Sequence, residues 1–335
     1  MNYMSRLSRL FVGAVLVAGL ATAARAADPD VLLPAKADTV VSVNVRQILD
    51  SDIAKKYALE QIKQTLDGKD IKKILAEIGL DPMKDVDQLV VGMSGSGKSD
   101  LKVLGILHGK FSPEKLFRTA EAQTKKDPDK FSQLKEGKTV IFKFQPDDGN
   151  PPWYFTVIDE NTVVAGSEKA LIVDAVEASG KQKSGVSKEV TALIKKMDEK
   201  ASVYAVSVVK GKLDDVKIPG GGNLPVDLSA FQALLPKIET MAVSVQVKAD
   251  VSLEVTLGMK DMTAADDFHT AFDDLIKQLK PLVQIFGAAE PRAKPLADVM
   301  NSVKSSAKST DVVITGKVTG ANIGKMMNPP ADNDK

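Results

Sequence analysis

The sequence predicts an α+β protein of two similar halves, each an antiparallel sheet with helices packed on one face. Three observations carry that expectation. Short β-branched runs alternate apolar with polar residues, as half-buried strands do. The strands come in adjacent pairs, with helical stretches between the pairs rather than after every strand. The pattern of the first 185 residues also begins again near residue 186, which suggests an internal duplication.

The elements follow in order. Asp38 to Val45 alternates as an opening strand, and helical stretches run from about Ile48 to Leu66 and from Asp70 to Ile78. Gly79 and Pro82 stop the second of these. Asp87–Met93 and Leu101–His108 read as paired strands, and Ser112-Pro113 opens a helix with an N-cap and a first-turn proline. Strands are expected at Lys138–Gln145, Pro152–Ile158 and Thr162–Ala165, and a helix at Glu168–Ala178. In the second half, Ala201–Val208 resembles the opening strand, and Ile238–Val247 and Val251–Met259 form the next pair. Phe117-Arg118-Thr119-Ala120 matches Phe268-His269-Thr270-Ala271 at an offset of 151, and Thr310–Thr319 answers Lys138–Gln145. The halves are placed at 27–185 and 186–326, with a disordered tail at 327–335.

Residues 1–26 read as a signal peptide. Arg6 and Arg9 precede an uncharged, mostly apolar run from Leu10 to Ala24, and Ala24-Arg25-Ala26 gives the small–x–small cleavage pattern. The run falls short of the ~20 residues of a membrane span, and no stretch of the mature chain is long enough for a transmembrane helix. The product is expected to be exported, periplasmic or extracellular, with cleavage near Ala26. Composition excludes several classes. The 335 residues are 44% hydrophobic and 27% charged, with 45 Lys and Arg against 44 Asp and Glu. Nothing in that balance points to nucleic acid as a partner. Cysteine is absent, which removes disulfides, thiol catalysis and zinc–thiolate sites. Two histidines, His108 and His269, have no neighbouring pattern that marks a triad or a metal site. Asp147-Asp148-Gly149-Asn150 lacks the spacing of a calcium loop. No cofactor and no metal are expected.

One motif competes with this reading. Gly92-Met93-Ser94-Gly95-Ser96-Gly97-Lys98-Ser99 satisfies the phosphate-binding pattern G-x-x-x-x-G-K-[ST], and Asp159 ends an apolar run as a magnesium-binding carboxylate would. Such a loop must open a helix. Residues 101–109 instead contain two glycines and stop after one short apolar run, and their counterpart Val251–Met259 alternates as a half-buried strand, so Gly92, Gly97, Lys98 and Ser99 are assigned to a hairpin turn. A second candidate is the helix from Thr263, where Phe268, Phe272, Leu275 and Leu279 form an apolar stripe that could line a ligand site. Pro281 is expected to kink this helix. Lys217–Pro225, rich in Gly and Pro, is either a lid or a long connection.

Two runs, Val31-Leu32-Leu33-Pro34-Ala35-Lys36-Ala37-Asp38-Thr39 and Gly79-Leu80-Asp81-Pro82-Met83-Lys84-Asp85-Val86-Asp87, resemble an uncharacterised family of exported bacterial α+β proteins. The resemblance implies export and the α+β layout, and brings no activity or site residues. The function expected is that of a non-enzymatic, exported binding or envelope-associated protein, whose partner is a protein or an apolar small molecule. The alternatives are a carrier of an apolar ligand held between sheet and helix, and a P-loop nucleotide hydrolase.

Overall fold

The computed structural model describes residues 26–95, 100–146, 149–217, 228–289 and 294–327. Residues 1–25 of the expected signal peptide (1–26), the Lys217–Pro225 connection from 218 onward, Asp147-Asp148 and residues 328–335 of the expected tail lie outside the described residues, and Met327, the first residue of that tail, is helical.

Twelve strands form one antiparallel sheet in the order β11-β12-β10-β9-β8-β1-β2-β3-β7-β6-β5-β4. The first half contributes β1 (Thr39–Asn44), β2 (Val86–Ser94), β3 (Lys102–Gly109), β4 (Phe131–Glu136), β5 (Thr139–Phe144), β6 (Trp153–Asp159) and β7 (Thr162–Gly166). The second contributes β8 (Val203–Val208), β9 (Ile238–Val247), β10 (Val251–Met259), β11 (Lys304–Lys308) and β12 (Asp311–Val318). The two half-sheets join edge to edge, because the opening strands β1 and β8 pair antiparallel from Thr39 opposite Ser207 to Val43 opposite Val203. Outward from that seam the order runs β1-β2-β3-β7-β6 one way and β8-β9-β10-β12-β11 the other. Strand β12 lies beside β10 as β7 lies beside β3, while β5, in the Lys138–Gln145 run, is two strands further out than β7.

The register fixes two faces with different chemistry. Along one row of direct cross-strand partners lie Phe155, Ala165, Gly105, Val91, Val41, Ala205, Val243, Val255 and Ile314. This row is apolar from β6 to β12, and the Thr39–Ser207 pair is a polar interruption on the same face at the seam. On the opposite face Leu104, Gly92, Val40, Val206 and Ala242 form an equivalent row. Beyond β9 that face turns polar, with Ser252, Glu254, Thr315 and Lys317 on β10 and β12.

Helices cover these faces unequally. Helices α1 (Val45–Asp50), α2 (Leu59–Leu66), α3 (Lys69–Ile78) and α4 (Pro82–Asp85) connect β1 to β2. The helix expected from Ile48 to Leu66 is interrupted: Ser51 is extended (ψ 151°), and a π-helical turn at Ala54–Ala58 intervenes. Helix α5 (Pro113–Lys126) packs on the apolar face through Phe117, whose ring lies 5.9 Å from that of Phe142. Helices α6 (Lys169–Ala178) and α7 (Lys188–Lys195) pack on the other face, where Ile172, Ala175, Val190 and Ile194 join Val40, Leu104 and Ile106 in one buried cluster. That cluster also takes in Tyr204, Val206 and Ala242, so it crosses the boundary at residue 185. In the second half α8 (Ser229–Leu234), α9 (Met262–Ala289) and α10 (Lys294–Ser302) precede β11, and α11 (Gly320–Met327) ends the described chain. Helix α9 runs through Pro281.

The runs Val31–Thr39 and Gly79–Asp87 both have structural roles. The first is a strap across the mixed face: Leu32, Leu33 and Ala37 are buried, and Ala27 N–H donates to Met197 O at 2.9 Å. The second holds a chain reversal. Gly79 adopts the left-handed conformation (φ 67°) that ends α3, and Asp81 caps α4 by accepting from Met83 N–H at 3.0 Å. Arg46 locks this turn by donating to the carbonyls of Met83, Lys84 and Val86 and pairing with Asp87 at 3.4 Å.

Candidate functional site

The loop that satisfies the phosphate-binding pattern is flanked by antiparallel strands. Met93 pairs with Val103 and Ser94 with Lys102, so the chain reverses between them, and Gly95 takes φ 108°. Residues 102–109 are extended, so no helix dipole follows the loop. Ser96, Gly97, Lys98 and Ser99 lie outside the described residues. Gly92 has a packing role: a Cβ there would sit 2.8 Å from Pro34 Cδ and 3.0 Å from Leu33 Cδ2, where the strap crosses the sheet. Asp159 accepts from Asn161 N–H at 2.8 Å in the β6–β7 turn.

The structure gives both histidines partners that the sequence did not reveal. His108 Nε2 lies 2.5 Å from Asp30 Oδ2, tying β3 to the strap. The hydrogen bond to Asp30 raises the His108 pKa against the opposing effect of burial, and Asp159 adds a smaller push the same way. His269, Asp273 and Ser305 meet where α9 crosses β11. Ser305 Oγ is 2.7 Å from His269 Nδ1 and 2.5 Å from Asp273 Oδ1. A hydrolytic triad would place the carboxylate on the histidine nitrogen remote from the serine. Here the carboxylate takes the serine's single proton, which leaves Nδ1–H as the donor to Oγ. The group pins helix to sheet, and its serine is not activated.

The aromatic stripe on α9 divides. Phe268 is buried and meets the Phe231 ring edge-on at 5.4 Å, in a cluster with Leu257, Met259 and Val312, and Phe272 packs against its margin. Leu275 and Leu279 are half-buried further along the helix. Phe268 and Phe272 pack with the strand residues Leu257, Val312 and Ile314 beneath α9.

A cavity of about 510 Å³ lies instead under α5. Its floor is the apolar face of β4–β7, with Phe131, Phe142, Phe155, Val157 and Val163; its roof is Leu116, Thr119, Ala120 and Gln123. The floor aromatics hold one another in place, Phe142 stacked on Phe155 at 5.4 Å and Phe131 against Phe144 at 5.0 Å. Helix α3 closes one side: Thr119 Oγ1 donates to Glu77 O at 3.0 Å, and Lys73 and Glu77 reach the rim opposite Lys126. The roof explains the void: apart from Leu116, the α5 residues that line it are Thr119, Ala120 and Gln123, none of them large and apolar.

A second cavity, about 470 Å³, lies on the polar face among Asp198, Gln246, Glu254, Lys304 and Lys317. Among the described residues no cluster of three or more His, Asp or Glu side chains could hold a metal ion, and no helix is long and apolar enough to cross a membrane.

Fold and cavity together define a class: an α+β protein on a continuous antiparallel sheet, with an apolar chamber between one helix and that sheet. Comparison with family models, with curated proteins and with solved structures finds no match to this chain.

Proposed function

We propose that this is an exported, non-enzymatic binding protein that holds an apolar ligand in the cavity between α5 and the sheet. One observation carries the reading: an apolar space of about 510 Å³ floored by Phe131, Phe142 and Phe155. That volume is within the ~300–1,000 Å³ range of small-molecule sites, which are mostly apolar with a few placed polar groups. Export is supported by the charged start, the apolar run and the small-residue pattern at Ala24–Ala26. The two halves are read as a duplicated unit, supported by the shared strand order on either side of the β1–β8 seam. In this reading one copy keeps a filled core and the other keeps the ligand space.

The test uses a neutral, environment-sensitive dye, N-phenyl-1-naphthylamine, titrated into the purified mature chain. Saturable fluorescence enhancement is expected, and Ala120→Trp, which fills the cavity from the helix side, abolishes it. Thr119→Trp, closer to the rim, provides a second blocking variant should the first fail to fold. Dye binding unaffected by both would exclude this cavity.

A further inference from the structure

We infer that the ligand is a long-chain fatty acid, with its chain in the cavity and its carboxylate at the rim between Lys73 and Lys126. This rests on the reading above that the cavity takes an apolar ligand. The rim carries two ammonium groups, Lys73 and Lys126, against one carboxylate, Glu77. Neither lysine has an ion-pair partner among the described residues, whereas Lys102, Lys169 and Lys212 pair with Glu168, Glu136 and Asp38. One bound carboxylate would neutralise the surplus charge. Among the described lining residues the only cations are lysines, so the rim offers point charges and not the planar fork that grips a carboxylate or a phosphate bidentately.

The interior favours a long unbranched chain. Its floor is wholly apolar, and its last side chain, Val163, is the direct partner of Leu107, which pairs with Leu89, which pairs with Val43. All four are partly exposed on one face. They extend the apolar wall over three more strands, roughly 14 Å at the ~4.8 Å spacing of neighbouring strands. A chain longer than the cavity therefore finds continued apolar contact, while a compact ligand gains nothing from it.

The experiment is displacement of N-phenyl-1-naphthylamine from the mature chain by palmitate, octanoate and methyl palmitate. Palmitate is expected to displace the dye at a concentration at least 100-fold lower than octanoate, since each methylene buried adds to affinity. It is also expected to bind about tenfold more tightly than methyl palmitate, which lacks the charge. The double variant Lys73→Glu with Lys126→Glu should weaken palmitate about tenfold and leave dye affinity unchanged, which also confirms that the variant folds. If the dye binds but palmitate and its methyl ester compete equally, or the double variant leaves palmitate unaffected, the fatty-acid assignment falls and the cavity reading stands. If the dye does not bind, both fall.

Discussion

Helices α5 and α9 start alike and end differently. Each lays a phenylalanine, Phe117 or Phe268, on the same apolar face of the sheet. Helix α9 continues for 28 residues and packs Phe268 and Phe272 against the strands beneath it. Helix α5 stops after 14 residues, and the space beneath it is the cavity. The open volume lies where a helix supplies little bulk, and the larger buried cluster of the first half lies on the opposite face. There α6, α7 and the strap bury Ile172, Val190, Ile194 and Leu33 against the first half, while the outer strands of the second half leave the same face polar.

The comparison can be broken most forcefully at its filled end. Phe268→Ala is expected to destabilise the protein by about 3–5 kcal/mol, as truncations of buried aromatics do. Phe155→Ala, on the cavity floor, should cost less than half of that, because its ring already borders open space. Urea denaturation midpoints measure both, and equal losses would mean that the two helices are packed alike. Gly92→Ala comes next, at about 1–3 kcal/mol, because the strap at Pro34 and Leu33 must yield to the added methyl. Calorimetry of that variant with ATP is expected to show no binding before or after the change; measurable ATP affinity lost with Gly92 would restore a nucleotide role for the loop.

Smaller effects sharpen the picture of the two histidines. Ser305→Ala should cost about 1 kcal/mol, the scale of a hydrogen bond in a helix–sheet pin; a covalent adduct of Ser305 with a fluorophosphonate probe would contradict the proton assignment. The last prediction concerns pH. The folded-state pKa of His108 is raised by Asp30, so its contribution is fully present below the ordinary histidine value of about 6.5 and is lost as pH rises through the folded value. The melting temperature difference between the native chain and His108→Gln should therefore be larger at pH 6 than at pH 9. A difference independent of pH would separate the strap from this ion pair.

Much of the fold was legible because local chemistry and tertiary packing agree. The strand after the glycine-rich loop was readable from its glycines and short apolar run, and the start of α5 from Ser112-Pro113. Two strands escaped for a common reason. β4 and β11 are the two edges of the sheet, and they carry Gln133, Lys135 and Glu136, and Lys304, Ser306 and Lys308, because an exposed edge must resist pairing with another chain. The polarity that protects an edge also erases the apolar alternation by which a strand is recognised. Helix α7 escaped although Ser187 caps it and Val190, Leu193 and Ile194 share one face. Its brevity, eight residues, left that signal short. The cavity was not legible under α5, since an alanine or threonine on a helix reads equally as a surface or as a tightly packed interior.

The sequence by itself determined the class of fold, the extended strand after the glycine-rich loop and the stops of individual helices, because each depends on residues a few positions apart. Only the tertiary structure decided that the half-sheets fuse through β1 and β8, that His108 meets Asp30 across 78 positions, and that the void lies under α5. Those outcomes depend on which distant side chains arrive at the same place and whether together they fill it, and that is a property of the assembled volume.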